Sequence, residues 1–231
     1  NTANNNNNHG MEIHGNNAAI TSDNTFTNNK NDGLRLFGTN ISLTGFNFNN
    51  NGRYGLYMEG INANIINNTF SNNGNTGLLI YSDGAIISGN TANNNNNHGM
   101  EIHGNNAIIT QNTVNSNKNE GLRIYGTGTT IQLNTATLNG RYGLYMEGIN
   151  ANITNNTFSN NTNTGMRVYS DGGVISNNTV TNNKNTGMEI HGNNAIITND
   201  NIIANNKNDG LRLYGANISV IGFNRSEERR V

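Results

Sequence analysis

The chain of 231 residues has no cysteine, no proline and no tryptophan, and few charges. Without cysteine, disulfides and thiolate metal sites are excluded, although the compartment stays open. Charged residues make up 12% and the formal net charge is -1, which argues against nucleic acid as a partner, since phosphate neutralisation needs clustered Lys and Arg. No stretch is long and apolar enough to span a membrane as a helix, so no membrane insertion is expected. Neither an initiator Met nor a signal peptide opens the sequence, and the N-terminus reads as truncated. Hydrophobic residues are only 32%. Low apolar content points to disorder, and Asn tracts such as Asn4 to Asn8 to prion-like aggregation. Strict periodicity of the apolar residues contradicts both.

What the chain does contain is asparagine, at about a quarter of all positions, together with 28 glycines. A short phrase recurs: His-Gly-Met-Glu-Ile, Asp-Gly-Leu-Arg-Leu, Tyr-Gly-Leu-Tyr-Met, Thr-Gly-Leu-Leu-Ile. Its glycine falls at Gly10, Gly33, Gly55, Gly77, Gly99, Gly121, Gly143, Gly165, Gly187 and Gly210, a spacing of 22 with 23 at the first and last steps. An extra turn residue after Ile20 and another after Ile197 account for the two longer steps. Four rung types follow one another and repeat about 88 residues later: residues 51–65 read almost as 139–153, and 9–17 as 98–106. This is the mark of a duplicated four-rung block.

Within the rung that starts at Gly99, Met100 and Ile102 alternate with Glu101 and His103, the period of a strand. Gly104-Asn105-Asn106 is a turn, because Gly and Asn tolerate positive φ. Ala107 and Ile109 alternate again, Asn112 marks a bend, Val114 points inward, and the polar run 115–119 closes the rung at Gly121. Three short strands and three turns per rung predict an all-β, right-handed parallel β-helix solenoid of about ten rungs.

In such a coil each side chain stacks on its equivalent one rung away, about 4.8 Å distant. Leu34, Leu56, Leu78, Met100 and Leu122 form one inward column, and Ile65, Ile87, Ile109, Ile131 and Ile153 another. At the bend an amide ladder is expected through Asn24, Asn68, Asn90, Asn112, Asn134, Asn156, Asn178 and Asn201, with Phe46 and Phe223 replacing it in two rungs.

The phrases Gly-Leu-x-Ile-Tyr and Asn-Ala-x-Ile-x-x-Asn-Thr-Phe resemble the parallel β-helix repeat of the pectin-lyase-like superfamily, and most of all the repeats of NosD-like proteins. The resemblance covers residues 1–224. It implies the fold and an extracellular, cell-surface or periplasmic location. Superfamily members include polysaccharide lyases, glycoside hydrolases, uronan epimerases and adhesins, so it does not choose among functions. Residues 225–231 depart from the repeat and match the in-frame translation of a common sequencing adapter, so they are expected to be a non-native tail. Missing rungs at both ends would expose sheet edges, from which end-to-end self-association is expected, checked by sedimentation over a range of concentrations.

Outward positions of the first strand form two columns. One carries Glu12, Arg35, Tyr57, Leu79, Glu101, Arg123, Tyr145, Arg167, Glu189 and Arg212. The other carries His14, Phe37, Glu59, Tyr81, His103, Tyr125, Glu147, Tyr169, His191 and Tyr214. Two readings stand side by side. In the structural one, Glu12–Arg35, Glu101–Arg123 and Glu189 between Arg167 and Arg212 are rung-to-rung ion pairs, and stacked rings stabilise the sheet. In the functional one, Arg35, Tyr57, Glu59, Tyr81, Glu101, His103, Arg123, Tyr125, Tyr145, Glu147, Arg167 and Tyr169 form a polysaccharide-binding face, sugars stacking their C–H faces on the rings. The Glu-Ile-His triplets, at Glu12/His14, Glu101/His103 and Glu189/His191, suggest a Zn²⁺ or Cu²⁺ site, with Glu101 and His103 as candidates. Two or three ligands on an open face rarely close such a site, so no metal and no cofactor is expected. No catalytic residue is assigned: every outward feature recurs in near-identical context, whereas a reaction centre needs one preorganised constellation. The expectation is a secreted or cell-surface scaffold that binds polysaccharide, the alternatives being a carbohydrate-active enzyme or a NosD-like periplasmic protein.

Overall fold

A computed structural model describes residues 2–21, 24–198 and 200–222. The chain winds as a parallel coil of three sheets and no helix among the described residues. The first sheet stacks ten strands, from Met11–His14 through Met100–His103 to Leu211–Tyr214. The second also stacks ten, from Ala19–Thr21 to Ser219–Val220. The third has five, from Thr113–Asn115 to Ile202–Ala204, and single bridges such as Thr69↔Thr91 carry its column back to Thr2. Every pair is parallel, and each strand of the first sheet meets the next after one full turn.

Register follows the repeat. Ile175 pairs with Ile197, a step of 22, and Thr179 with Ile202, a step of 23, so the extra residue lies between these pairs, after Ile197 as expected. Similarly Thr21 pairs with Thr44 and Thr25 with Asn47. Residues 22, 23 and 199, in these two turns, fall outside the described residues, as do Phe223 and the 225–231 tail.

The interior is filled by apolar side chains, edged by buried asparagines. Both predicted inward columns are buried, with Phe26, Phe48 and Phe70 stacked in a third one (ring centroids 5.3 and 5.1 Å apart). Alternation on each strand puts one set of side chains into this core and the other outside.

The bend ladder forms as read. From Asn68 to Asn201 each Nδ2 donates to the Oδ1 of the next rung at 2.9–3.1 Å. Each also donates to the carbonyl of an inward residue, such as Ile87 for Asn112 (2.9 Å). Asn24 is buried in the same column beyond Phe46, whose ring interrupts the run while its N–H donates to Asn68 Oδ1 (2.9 Å).

A second ladder, which the sequence reading assigned only to a polar turn, is longer. It runs Asn29, Asn51, Asn73, Asn95, Asn117, Asn139, Asn161, Asn183 and Asn206, again with Nδ2–Oδ1 bonds of 2.9–3.1 Å. Its Asn side chains lie against the rung glycines. A Cβ on Gly121 would stand 2.7 Å from Asn139 Nδ2 and 2.9 Å from Gly143 O, which is why glycine recurs there. Asn also fills most corners in the left-handed conformation, as at Asn72 (φ 58°) and Asn160 (φ 58°). In one rung both corners are leucine, Leu133 (φ 57°) and Leu138 (φ 59°), each exposed.

Two substitutions test these points by chemical or thermal unfolding. Asn117→Ala leaves the buried Ala92 O and the Asn95 N–H without their partner and removes one bond each from Asn139 Oδ1 and Asn95 Nδ2, and should cost about 3 kcal/mol. Leu138→Asn should stabilise by about 1 kcal/mol, because Asn tolerates the left-handed backbone and Leu does not.

Candidate functional site

The outward face of the first sheet carries both predicted columns in the predicted register, for example Arg123↔Glu101, Arg123↔Tyr145 and Tyr125↔His103. The second column is a ring ladder interrupted at two rungs. Tyr81, His103 and Tyr125 stack at 4.5 and 4.7 Å, and Tyr169, His191 and Tyr214 at 4.5 and 4.4 Å. Where Glu59 and Glu147 replace the ring, Tyr57 and Tyr145 lean across from the first column. They fill the gap and donate their hydroxyls to those carboxylates, Tyr145 to Glu147 at 3.0 Å. Burial, and then this bond, pushes both phenols up to about 12. Close parallel stacking turns the ring faces of the Tyr/His triplets toward one another. The triplets therefore present ring edges, hydroxyls and imidazole nitrogens outward rather than the open ring faces expected from sequence.

The ion pairs match in part. Arg35 meets Glu12 (3.3 Å) and Arg167 meets Glu189 (3.0 Å). Arg123 stands 3.9 Å from Glu101 and instead donates to the Tyr125 hydroxyl (2.7 Å) and to His98 Nε2 (3.0 Å). Arg212 turns to Asp209 rather than Glu189, since Asp209 lies on its own rung, three residues back. In the Glu-Ile-His triplets each histidine bonds its own glutamate, at 2.7, 3.1 and 2.8 Å. Among the described residues no three metal-ligating side chains converge.

A third column, of which the sequence reading singles out only His9, His98 and Thr186 beside the Glu-Ile-His triplets, lies at the edge of this face: the residue before each rung glycine. It reads His9, Asp32, Tyr54, Thr76, His98, Glu120, Tyr142, Thr164, Thr186 and Asp209, and apart from His9, Tyr54 and the exposed Asp209 it is buried. It builds two related clusters. In the first, buried Asp32 accepts two bonds from Arg53 (2.8 and 3.0 Å) and contacts His9 (3.2 Å). In the second, 88 residues on, buried Glu120 contacts His98 Nδ1 (2.7 Å) and takes one bond from Arg141 (2.8 Å). An arginine can only donate, so the bond from Arg123 makes His98 Nε2 an acceptor and places the ring proton on Nδ1, toward Glu120. The longer Glu120 leaves Arg141 bound through one nitrogen, beside a cleft of about 170 Å³ lined by Glu120, Arg123, Arg141 and Tyr145. A shallow open groove of about 520 Å³ runs past Glu147, Tyr169, Asp171, His191, Asn193 and Tyr214.

Burial pushes the Glu120 carboxyl up, but the His98 contact, backbone hydrogen bonding and Arg141 outweigh it and hold the group below its ordinary value. The same balance holds Glu101 low, burial opposing His103, His98 and Arg123. The face thus presents protonated phenols, ionised carboxylates and permanently charged guanidinium groups, a fixed pattern of donors and acceptors suited to binding.

The family model described as "Right handed beta helix region" matches residues 1–138 and 142–230. No curated protein matches the chain in sequence. Among solved structures, the periplasmic alginate epimerase AlgG superposes with a TM-score of 0.62 at 14% identity, over 85% of this chain and 50% of that one. The mannuronan C-5 epimerase AlgE4 A-module of Azotobacter vinelandii gives 0.59 at 17%, over 92% and 79%. The Dettilon tailspike protein gives 0.65 at 15%, over 91% and 55%. The chain thus spans about half the length of AlgG.

A carboxyl held low in the fold stabilises above its unfolded value and loses that contribution as pH falls through the folded one. Stability should therefore decline below the ordinary carboxylate value of 4.5. Glu120→Gln should flatten this acid limb, read as the thermal midpoint followed from about pH 6 down to about pH 3.

Proposed function

The chain belongs to the right-handed β-helix family. From that premise we propose that it is a secreted or cell-surface scaffold that binds polysaccharide along the outward face of the first sheet. The observation that carries this reading is the pair of Arg-acid-Tyr clusters four rungs apart, Asp32/Arg35/Arg53/Tyr57 and Glu120/Arg123/Arg141/Tyr145, joined by the ring ladder. An extended glycan presents hydroxyls or charged groups at regular intervals, and a rigid face with donors repeated along one axis can meet several at once. AlgG and AlgE4 are epimerases of alginate and mannuronan, which favours a carbohydrate as the ligand. Recurrence of the clusters favours an array of binding positions over one reaction centre.

A glycan array, followed by titration with the polymers it selects, tests the proposal. The folded chain should bind, and Arg123→Ala or Tyr145→Ala should weaken binding by about tenfold, ~1.4 kcal/mol, the worth of a charge-assisted hydrogen bond. Absence of binding to every glycan by the folded chain would sink it. Release of unsaturated uronic products, detected in the ultraviolet, would replace it with the lyase reading.

A further inference from the structure

The column before the rung glycines supplies anchors for outward arginines. Arg167 reaches back one rung to the Tyr142 hydroxyl (2.8 Å), and Arg123 reaches back the same 25 residues to His98 Nε2 (3.0 Å). The other two arginines of that outward column turn to carboxylates, Arg35 to Glu12 (3.3 Å) and Arg212 to Asp209. Among these four, only Arg123 is anchored on a histidine, the side chain that changes charge between about pH 5 and pH 8.

The surroundings of His98 decide what protonation does. The ring is buried, 4% exposed. Its Nδ1 lies against Glu120 Oε2 (2.7 Å), and Glu120 in turn holds Arg141 (2.8 Å). Its Nε2 faces Arg123, with Glu101 Oε2 at 3.9 Å, and Glu101 also meets His103 (3.1 Å). Thr76, one rung back in the column, carries no charge. In the neutral ring Nδ1 holds the proton and Nε2 accepts from Arg123. In the charged ring both nitrogens donate, so the bond to Arg123 is lost and two cations face each other across 3.0 Å. Glu101 is then the acceptor nearest to Nε2, and Arg123 keeps its bond to the Tyr125 hydroxyl (2.7 Å). Glu101 and Glu120 are both held below the ordinary carboxylate value, so they stay ionised over the range in which histidines titrate.

We infer that His98 is the positioning residue for Arg123, and that its protonation releases Arg123 from the fixed donor pattern of the first-sheet face. This rests on the reading of that face as a polysaccharide site and adds its regulation: the cleft that Arg123 and Tyr145 line binds at neutral pH and lets go in acid. A guanidinium already held in place loses little freedom when a glycan meets it, whereas a released one must first be ordered. Arg167, anchored on a phenol oxygen, does not follow.

Two readouts on the folded chain test this. Without ligand, nitrogen-resolved NMR follows the His98 ring and the Arg123 guanidinium from about pH 8 to about pH 5. His98→Gln assigns the ring signals and cannot titrate, while its amide can accept from Arg123 and donate to Glu120 at every pH. With ligand, the polymer that gives the strongest glycan-array signal is titrated over the same range. The expected result is an unprotonated Nε2 at the upper pH, release of Arg123 with the midpoint of His98, and an Arg167 that stays bound. Affinity should fall about tenfold into acid, the loss expected of Arg123→Ala, and stay flat in His98→Gln. A protonated Nε2 at the upper pH, or the same acid response in His98→Gln, which would assign it to His103, overturns the inference. Should His98→Gln not fold, the intact chain decides, different midpoints for His98 and Arg123 overturning it. Polymer binding that is equal at both ends of the range removes the gate. If no polymer binds while Arg123 is released with His98, the polysaccharide reading falls and the positioning by His98 stands.

Discussion

The side-chain amide bond from one asparagine to the next carries this fold. A coil of 22 residues bends sharply at its corners, and each bend leaves backbone donors and acceptors pointing inward that need partners. The two ladders answer this with one residue type. Each Asn accepts from the preceding rung's Asn on Oδ1, donates to the following Asn and reaches a carbonyl of the inward column, as Asn117 does with Asn95, Asn139 and Ala92. Because each link spans a full turn, the ladders also hold the rungs in register, and their contact with the rung glycines forbids any side chain at those positions.

Register held over so many turns makes every outward surface a set of straight columns, and chemistry then depends only on which residues fill them. The first sheet gathers the rings and nearly all the ion pairs. The second and third sheets are almost free of charge. Within the first face the duplicated block supplies two versions of one cluster: Asp32 takes two bonds from Arg53, whereas Glu120 takes one from Arg141, beside a cleft that Arg123 and Tyr145 also line.

Much of this was legible before any coordinates, and what was not has a physical reason. Glycine spacing and apolar alternation define the rungs, the inward columns and the order of the outward face. The bend ladder stands out because Asn112 falls between two inward apolar positions, Ile109 and Val114. The second ladder was hidden because Asn117 sits in the polar run 115–119, where exposed, left-handed and buried asparagines look alike. Its signal was present in the unbroken spacing from Asn29 to Asn183. The column before the glycines was overlooked because its residue type changes at each rung. Histidine, acid, tyrosine and threonine look unrelated until stacking makes them neighbours.

The sequence by itself determined the coil, its period and which residues face outward, because these depend on periodicity alone, and strand geometry maps periodicity directly onto faces. Only the tertiary structure decided how outward side chains use their partners. Arg212 takes Asp209 over Glu189, Arg123 takes His98 and Tyr125 over Glu101, and Tyr57 and Tyr145 cross columns to complete the ring ladder. Such choices lie between partners that stacking makes neighbours, and distance, burial and direction in three dimensions settle them.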